Sequence, residues 1–209
     1  CLFLLGACGE LAPAHQYTGD TDIADLHGKK LGLSVLSIMH GLSQNEELTF
    51  DKIQESGAPL AVWTVKKNKV HSKILKSKME QVPIKIKADW QDHAQIKREL
   101  EQSTDRVIQE RLLRKLRIQQ SLGEPNNFRL PVWIWRVGEA FFIGSQAEAY
   151  SLLQIELRKA FPNSTIIVMN LINGANGYLP ESHLYTEDIY TVWQTPFDKG
   201  GLEILIETC

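Results

Sequence analysis

The spacing of apolar and polar positions along this chain changes several times, and each change marks an element. Leu2 to Ala7 is a short apolar run that predicts a buried strand, closed by Gly6-Ala7-Cys8-Gly9. A polar loop follows through Pro13, His15, Tyr17 and Gly19-Asp20. From Thr21 to about Gly41 the apolar positions Ile23, Leu26, Leu31, Val35, Ile38 and Leu42 recur at three-, four- and five-residue steps. That pattern predicts a helix capped by Thr21 or Asp22. Gly28 and Gly32 weaken it intrinsically, so close packing against a sheet is the expected reason for them. Leu60 to Val65 and Val82 to Ala88 are β-type, and Pro83 confines the second run to a sheet edge.

Asp89 to Gln120 is charged, with an intermittent apolar stripe of Leu100, Val107, Leu112, Leu116 and Ile118. It reads as a helical pair over about 89–121, an insertion lying on one face of the domain. Ser103-Thr104-Asp105 can cap its second helix, and Leu122-Gly123-Glu124-Pro125 ends it. Beyond Phe128 the pattern becomes strand, strand, helix, strand. Leu130 to Val137 and Ala140 to Gly144 form a hairpin about Gly138-Glu139. Ala147 to Phe161 is amphipathic, Thr165 to Met169 is a buried strand, and Gly200 to Thr208 is a short final helix. The fold class is therefore α/β, a mixed β-sheet with packed helices.

Composition narrows the function classes. The chain has 209 residues, 43% hydrophobic, with a formal net charge of −2. That is enough for one domain with a full core, and it carries no global basic excess that would point to nucleic acid. No apolar run reaches the roughly 18 residues of a membrane span. The lysine-rich stretch from Lys66 to Lys78 reads as a solvated hairpin or loop; phosphate binding and an anionic membrane surface are the competing readings. Cys1, Cys8 and Cys209 form no CxxC pair and no disulfide framework. The apolar start lacks an initiator Met and a basic flank, so it reads as strand and the chain as part of a larger catalytic domain.

Three side chains stand where chemistry is possible. Glu148 follows the apolar run Ala140-Phe141-Phe142-Ile143-Gly144 and is expected at a strand end, starting a helix. A carboxylate there can stabilise the helix or bind a cation. Tyr178 follows Asn173-Gly174-Ala175-Asn176-Gly177, whose residue types permit left-handed backbone and close approach. Its phenol can reach a cation or cap the core. Tyr190, before Val192-Trp193, carries the same two readings. The six histidines, among them His15, His27 and His40, are all isolated, with no HxH or HExxH.

The order of these segments resembles the neutral/alkaline ceramidase-like family, in the C-terminal half of its catalytic domain. Gln146-Ala147-Glu148 is similar to its glutamate-bearing segment, and Gly9-Glu10-Leu11-Ala12-Pro13 to its G-D-x-x-P segment. Thr18-Gly19-Asp20 and Trp193-Gln194-Thr195-Pro196-Phe197 resemble its shorter bacterial members. The resemblance covers both ends and little between about Leu48 and Phe128. It implies a zinc-dependent hydrolase of an amide or ester bond acting on a small-molecule or lipid amide. Glu148 and Tyr178 would then be two zinc ligands. Tyr190, twelve residues beyond Tyr178, would polarise the substrate carbonyl, and His15 would contact substrate. The remaining histidine ligands and the base would lie in a missing N-terminal part of the same domain. This chain alone would then be inactive. A secreted, periplasmic or membrane-associated location and peripheral membrane contact are implied as well. The chain departs from the family in having Gly6-Ala7-Cys8 where ceramidases carry a serine and an asparagine, which favours the alternative of a catalytically inactive binding or scaffold module.

Overall fold

The computed structural model describes residues 2–42, 46–67, 72–123 and 128–209. They form two compact units, Cys1–Ala12 with Lys73–Cys209 and Pro13–Ser72.

The smaller unit contains helix α1 (Thr21–Gly41) and an antiparallel hairpin of β1 (Glu46–Ser56) and β2 (Ala58–Lys67). The cap of α1 is Asp20, one residue earlier than expected, whose carboxylate accepts from the Asp22 amide at 2.9 Å. Among the described residues of this unit, no residue of α1 is buried, and nothing outside the helix backbone lies within 4 Å of a Cβ built on Gly28 or Gly32. Within this unit those glycines therefore meet no sheet. In the hairpin, Gly57 turns the chain with φ of 65°, and Phe50 meets Trp63 edge-on at 6.0 Å. Lys66 and Lys67 end β2; Asn68 to His71, the middle of the lysine-rich run, lie outside the described residues.

The larger unit is built on a four-stranded mixed sheet. Its strands are β3 (Leu75–Pro83), β4 (Arg129–Val137), β5 (Ala140–Ser145) and β7 (Thr165–Met169), in the order β3-β4-β5-β7. The first three are antiparallel, and β5 and β7 are parallel. Pro83 closes edge strand β3, where its missing N–H costs no ladder bond. The strand is displaced toward the N-terminus relative to the expected Val82–Ala88, and beyond it Ile86 makes an isolated antiparallel bridge to Phe197. Gly138, at φ of 61°, makes the tight turn between β4 and β5.

Helix α4 (Leu152–Ala160) carries the crossover from β5 to β7, and α6 (Gly201–Thr208) packs beside it. Val132, Ile143, Leu153, Leu157, Val168, Leu179, Phe197, Leu202 and Leu205 meet in one core. The charged pair is α2 (His93–Gln102) and α3 (Arg106–Leu122). Asp105 caps α3 by accepting from Val107 N at 2.7 Å and Ile108 N at 3.2 Å. Ile118 and Leu122 of α3 enter the main core, while Ile96, Leu112 and Leu116 form a smaller one between the two helices.

The start of the chain departs from expectation. Leu2 to Ala7 form no strand, and Leu2 and Phe3 are exposed. The segment is tied down further along. Leu5 O accepts from Asn170 N at 2.8 Å, Ala7 is buried, and Gly9 N donates to Ala149 O at 3.0 Å.

Candidate functional site

The site forms where the chain leaves β5. Two short parallel strands, β6 (Glu148–Ala149) and β8 (Tyr178–Leu179), pair there with Glu148 opposite Tyr178. Glu148 is thus a strand residue and not the first residue of a helix, since α4 begins only at Leu152. The correction is electrostatic as well as geometric. Without a helix dipole behind it, Glu148 has its pKa raised by burial, opposed by the Tyr178 phenol and by the Arg114 charge.

Backbone bonds hold this two-strand element on several sides. Glu148 N donates to Gly177 O at 2.9 Å, and Asn176 N to Gln146 O at 3.0 Å. Buried Asn170 grips the Ala149 peptide at both ends. Its Oδ1 accepts from Ala149 N at 3.2 Å, and its Nδ2 donates to Ala149 O at 2.9 Å. Thr195 Oγ1, fully buried, donates to Tyr178 O at 2.5 Å. The loop before β8 uses the conformations its composition permits. Leu171, Asn173 and Gly177 all have positive φ, and a Cβ on Gly177 would meet Pro196 Cδ at 2.7 Å.

The N-terminal segment braces the same element. A Cβ on Gly9 would lie 2.7 Å from Glu148 O and 2.9 Å from Tyr150 Cδ1, so only glycine fits without displacing backbone. Both Glu10 carboxylate oxygens accept from Ser151 N at 2.9 Å, and one also accepts from its hydroxyl. Gly9-Glu10 and Gln146-Ala147-Glu148, far apart in sequence, are therefore structural neighbours. Cys8 lies alongside; burial, then the Glu148 and Glu10 carboxylates, push its thiol pKa up, which disfavours the nucleophilic thiolate.

Tyr190 opens helix α5 (Tyr190–Gln194). Its ring meets that of Tyr178 edge-on at 5.9 Å. Tyr150 in turn hydrogen-bonds Thr191 through its hydroxyl, tying α5 to the end of β6. Glu148, Tyr178 and Tyr190 all line one cleft of about 220 Å³, together with Arg114, Arg117 and Gln194. Burial, then the Glu148 charge, raises the Tyr178 pKa and keeps the phenol protonated. Tyr190 is partly exposed, and its hydroxyl accepts from Arg114 Nη1 at 3.0 Å.

The charged helix supplies what sequence reading missed. Arg111 stacks over Trp193 at 4.6 Å, and Lys115 lies 4.9 Å from the Trp193 ring and 5.4 Å from Trp90. These contacts dock α3 on α5 and aim Arg114 at Tyr190. The signal was present as arginines at 111, 114 and 117, a three-residue step that puts neighbouring guanidinium groups along one side of a helix. Asn170 and Thr195 carried no comparable signal. His15 is exposed in the smaller unit. Among the described residues no three His, Cys, Asp or Glu side chains cluster as metal ligands.

No family model and no curated protein matches the chain. Among solved structures, a neutral ceramidase from Pseudomonas aeruginosa is similar over 66% of this chain, with a TM-score of 0.41 and 13% sequence identity. The similar region spans about a quarter of that protein, 27% of its chain.

Proposed function

We propose that the cleft is part of the active site of a zinc-dependent hydrolase of an amide or ester bond. The observation that carries the reading is the convergence of Glu148, Tyr178 and Tyr190, from three separate segments, on one cleft. The donor chemistry is compatible with zinc. Glu148 is a carboxylate that burial leaves short of compensating charge, beside a phenol oxygen, and zinc accepts oxygen ligands of this kind. Glu148 and Tyr178 would hold the ion as two of its ligands, with the rest supplied from outside the described residues. A bound dication would also favour the ionised Glu148 that burial disfavours. Zinc would contribute Lewis acidity and water activation at this place.

The remaining chemistry belongs to the chain itself. Tyr190 accepts from Arg114, so its own O–H is free to donate to a substrate oxygen. The guanidinium polarises that O–H and strengthens it as a donor to a developing oxyanion. Asn170, Thr195 and Gly9 hold the two strands that carry Glu148 and Tyr178, so the oxygens are placed by backbone and not by mobile loops.

The test is a pair of variants in the protein that carries this chain. Tyr190→Phe is expected to keep zinc and lose roughly 10²–10³ in kcat, the typical loss for one oxyanion donor. Glu148→Gln is expected to lose activity and zinc together. Normal turnover in Tyr190→Phe would remove the proposed electrophile. The second reading, a binding module without catalysis, is favoured by one observation. Arg114 donates to the Tyr190 hydroxyl and its charge partly offsets the burial of Glu148, so a cation of the chain itself already acts at this place. Wild-type turnover with neither variant affected would favour a different site, and absence of turnover in the zinc-loaded protein would favour the binding module.

A further inference from the structure

The cleft is more positive than its presumed chemistry requires. Its lining holds one carboxylate, Glu148. The same lining holds two guanidinium groups, Arg114 and Arg117, one helical turn apart on α3. Arg114 spends one N–H on Tyr190 Oη and its Nε on Glu110, at 3.0 and 3.2 Å, which leaves three of its five donors. Arg117 is exposed and has no side-chain partner among the described residues. Ile118, Leu171 and Ala175 add apolar surface to the lining. At about 220 Å³ the space holds a small polar group. A long acyl chain would have to lie outside it.

We infer that Arg114 and Arg117 bind an oxyanion, a carboxylate or phosphate, carried by the substrate near the bond that Tyr190 faces. Paired guanidinium groups match such oxygens through parallel N–H donors. Arg114 is oriented by Glu110 and Tyr190 before any ligand arrives, so little ordering remains to be done when one binds. The substrate class becomes an anionic amide or ester and not a neutral one. This inference rests on the hydrolase reading for the scissile bond, but its anion-binding half stands apart from catalysis.

The experiment compares three matched amides: N-lauroylglycine, N-lauroylethanolamine and the O-phosphate of the latter. Hydrolysis and calorimetric binding are measured for wild type, Arg117→Gln and Arg117→Lys. The expected result is about 10-fold or greater preference for an anionic amide, the worth of one hydrogen bond to a charged group. Arg117→Gln should lose most of that preference, its KM rising more for the anionic than for the neutral amide, and Arg117→Lys should recover part. Whichever anion loses more in Arg117→Gln identifies carboxylate or phosphate. Charge-dependent binding that falls in Arg117→Gln without any turnover would support the anion site and sink the hydrolase reading. Equal binding of neutral and anionic amides, or an unchanged Arg117→Gln, would overturn the anion site whatever the turnover.

Discussion

Replacing Asn170 with alanine is the sharpest test of how this site is held. Asn170 is 3% exposed and Ala149 is fully buried. The amide side chain accepts from Ala149 N at 3.2 Å and donates to Ala149 O at 2.9 Å. The two losses differ. Ala149 O keeps the Gly9 N–H at 3.0 Å, so it forfeits one bond of two. Ala149 N has no other partner among the described residues and would be left buried and unpaired. An orphaned buried donor costs about 1–3 kcal/mol, and the second bond adds about 0.5–1.5 kcal/mol. The sum is roughly 2–4 kcal/mol, large against the ~5–15 kcal/mol of a typical domain but short of unfolding it. Urea denaturation gives the total, and hydrogen exchange at the Ala149 amide gives its location. Asn170→Asp adds an internal control. Its carboxylate keeps an acceptor for Ala149 N but faces Ala149 O without a proton. Its deficit should therefore shrink as pH falls and a donor returns. An Asn170→Ala variant within about 0.5 kcal/mol of wild type, with unchanged Ala149 protection, would show that the clamp does not hold β6.

Two further outcomes follow from the geometry. Gly9→Ala and Gly177→Ala each force a Cβ to 2.7 Å from an atom that cannot rotate away, and Gly177 also has φ of 96°. Each should lose roughly 1–3 kcal/mol in denaturant titration, the usual cost of overpacking. A neutral result at either position would mean that β6 or the Pro196 turn yields freely. Glu148 has a folded pKa above its unfolded one, so the folded state binds the proton more tightly. Stability should fall as pH rises through the interval between the two values and level off above it. Glu148→Gln should then be more stable than wild type above that interval and show no advantage below it. A constant difference across pH would remove the burial explanation.

Much of the larger unit was legible from period alone. The β4–β5 hairpin about Gly138, the buried β7, the helical pair and the final helix α6 all stand close to where the pattern places them. The reason is that these segments bury apolar side chains, in short continuous runs or at helical spacing, between turn and cap residues that mark their ends. Leu2 to Ala7 shows where that logic stops. Its residues are apolar enough for a strand, but only Leu5 O engages the sheet end, while Leu2 and Phe3 face outward. Glu148 was misassigned for a related reason. The amphipathic run of α4 extends backward in sequence, yet Asn170 and Gly177 O capture residues 148 and 149 as strand first. Tertiary bonds of that kind leave no local pattern. The Asn and Gly content of 173–177 did announce left-handed backbone, but not that it would bring Tyr178 opposite Glu148. Arg114 and Arg117 went unread because a charged helix face looks the same in sequence whether it meets water or a cleft.

Zinc occupancy tests the central claim most directly. The protein that carries this chain would be loaded with zinc, dialysed and measured by elemental analysis as wild type, Glu148→Gln and Tyr178→Phe. The account predicts close to one zinc per chain in the wild type and clear loss in both variants, because each removes a ligand oxygen or the charge on it. Equal occupancy in all three, or no zinc in the wild type, would contradict the assignment of Glu148 and Tyr178 as zinc ligands.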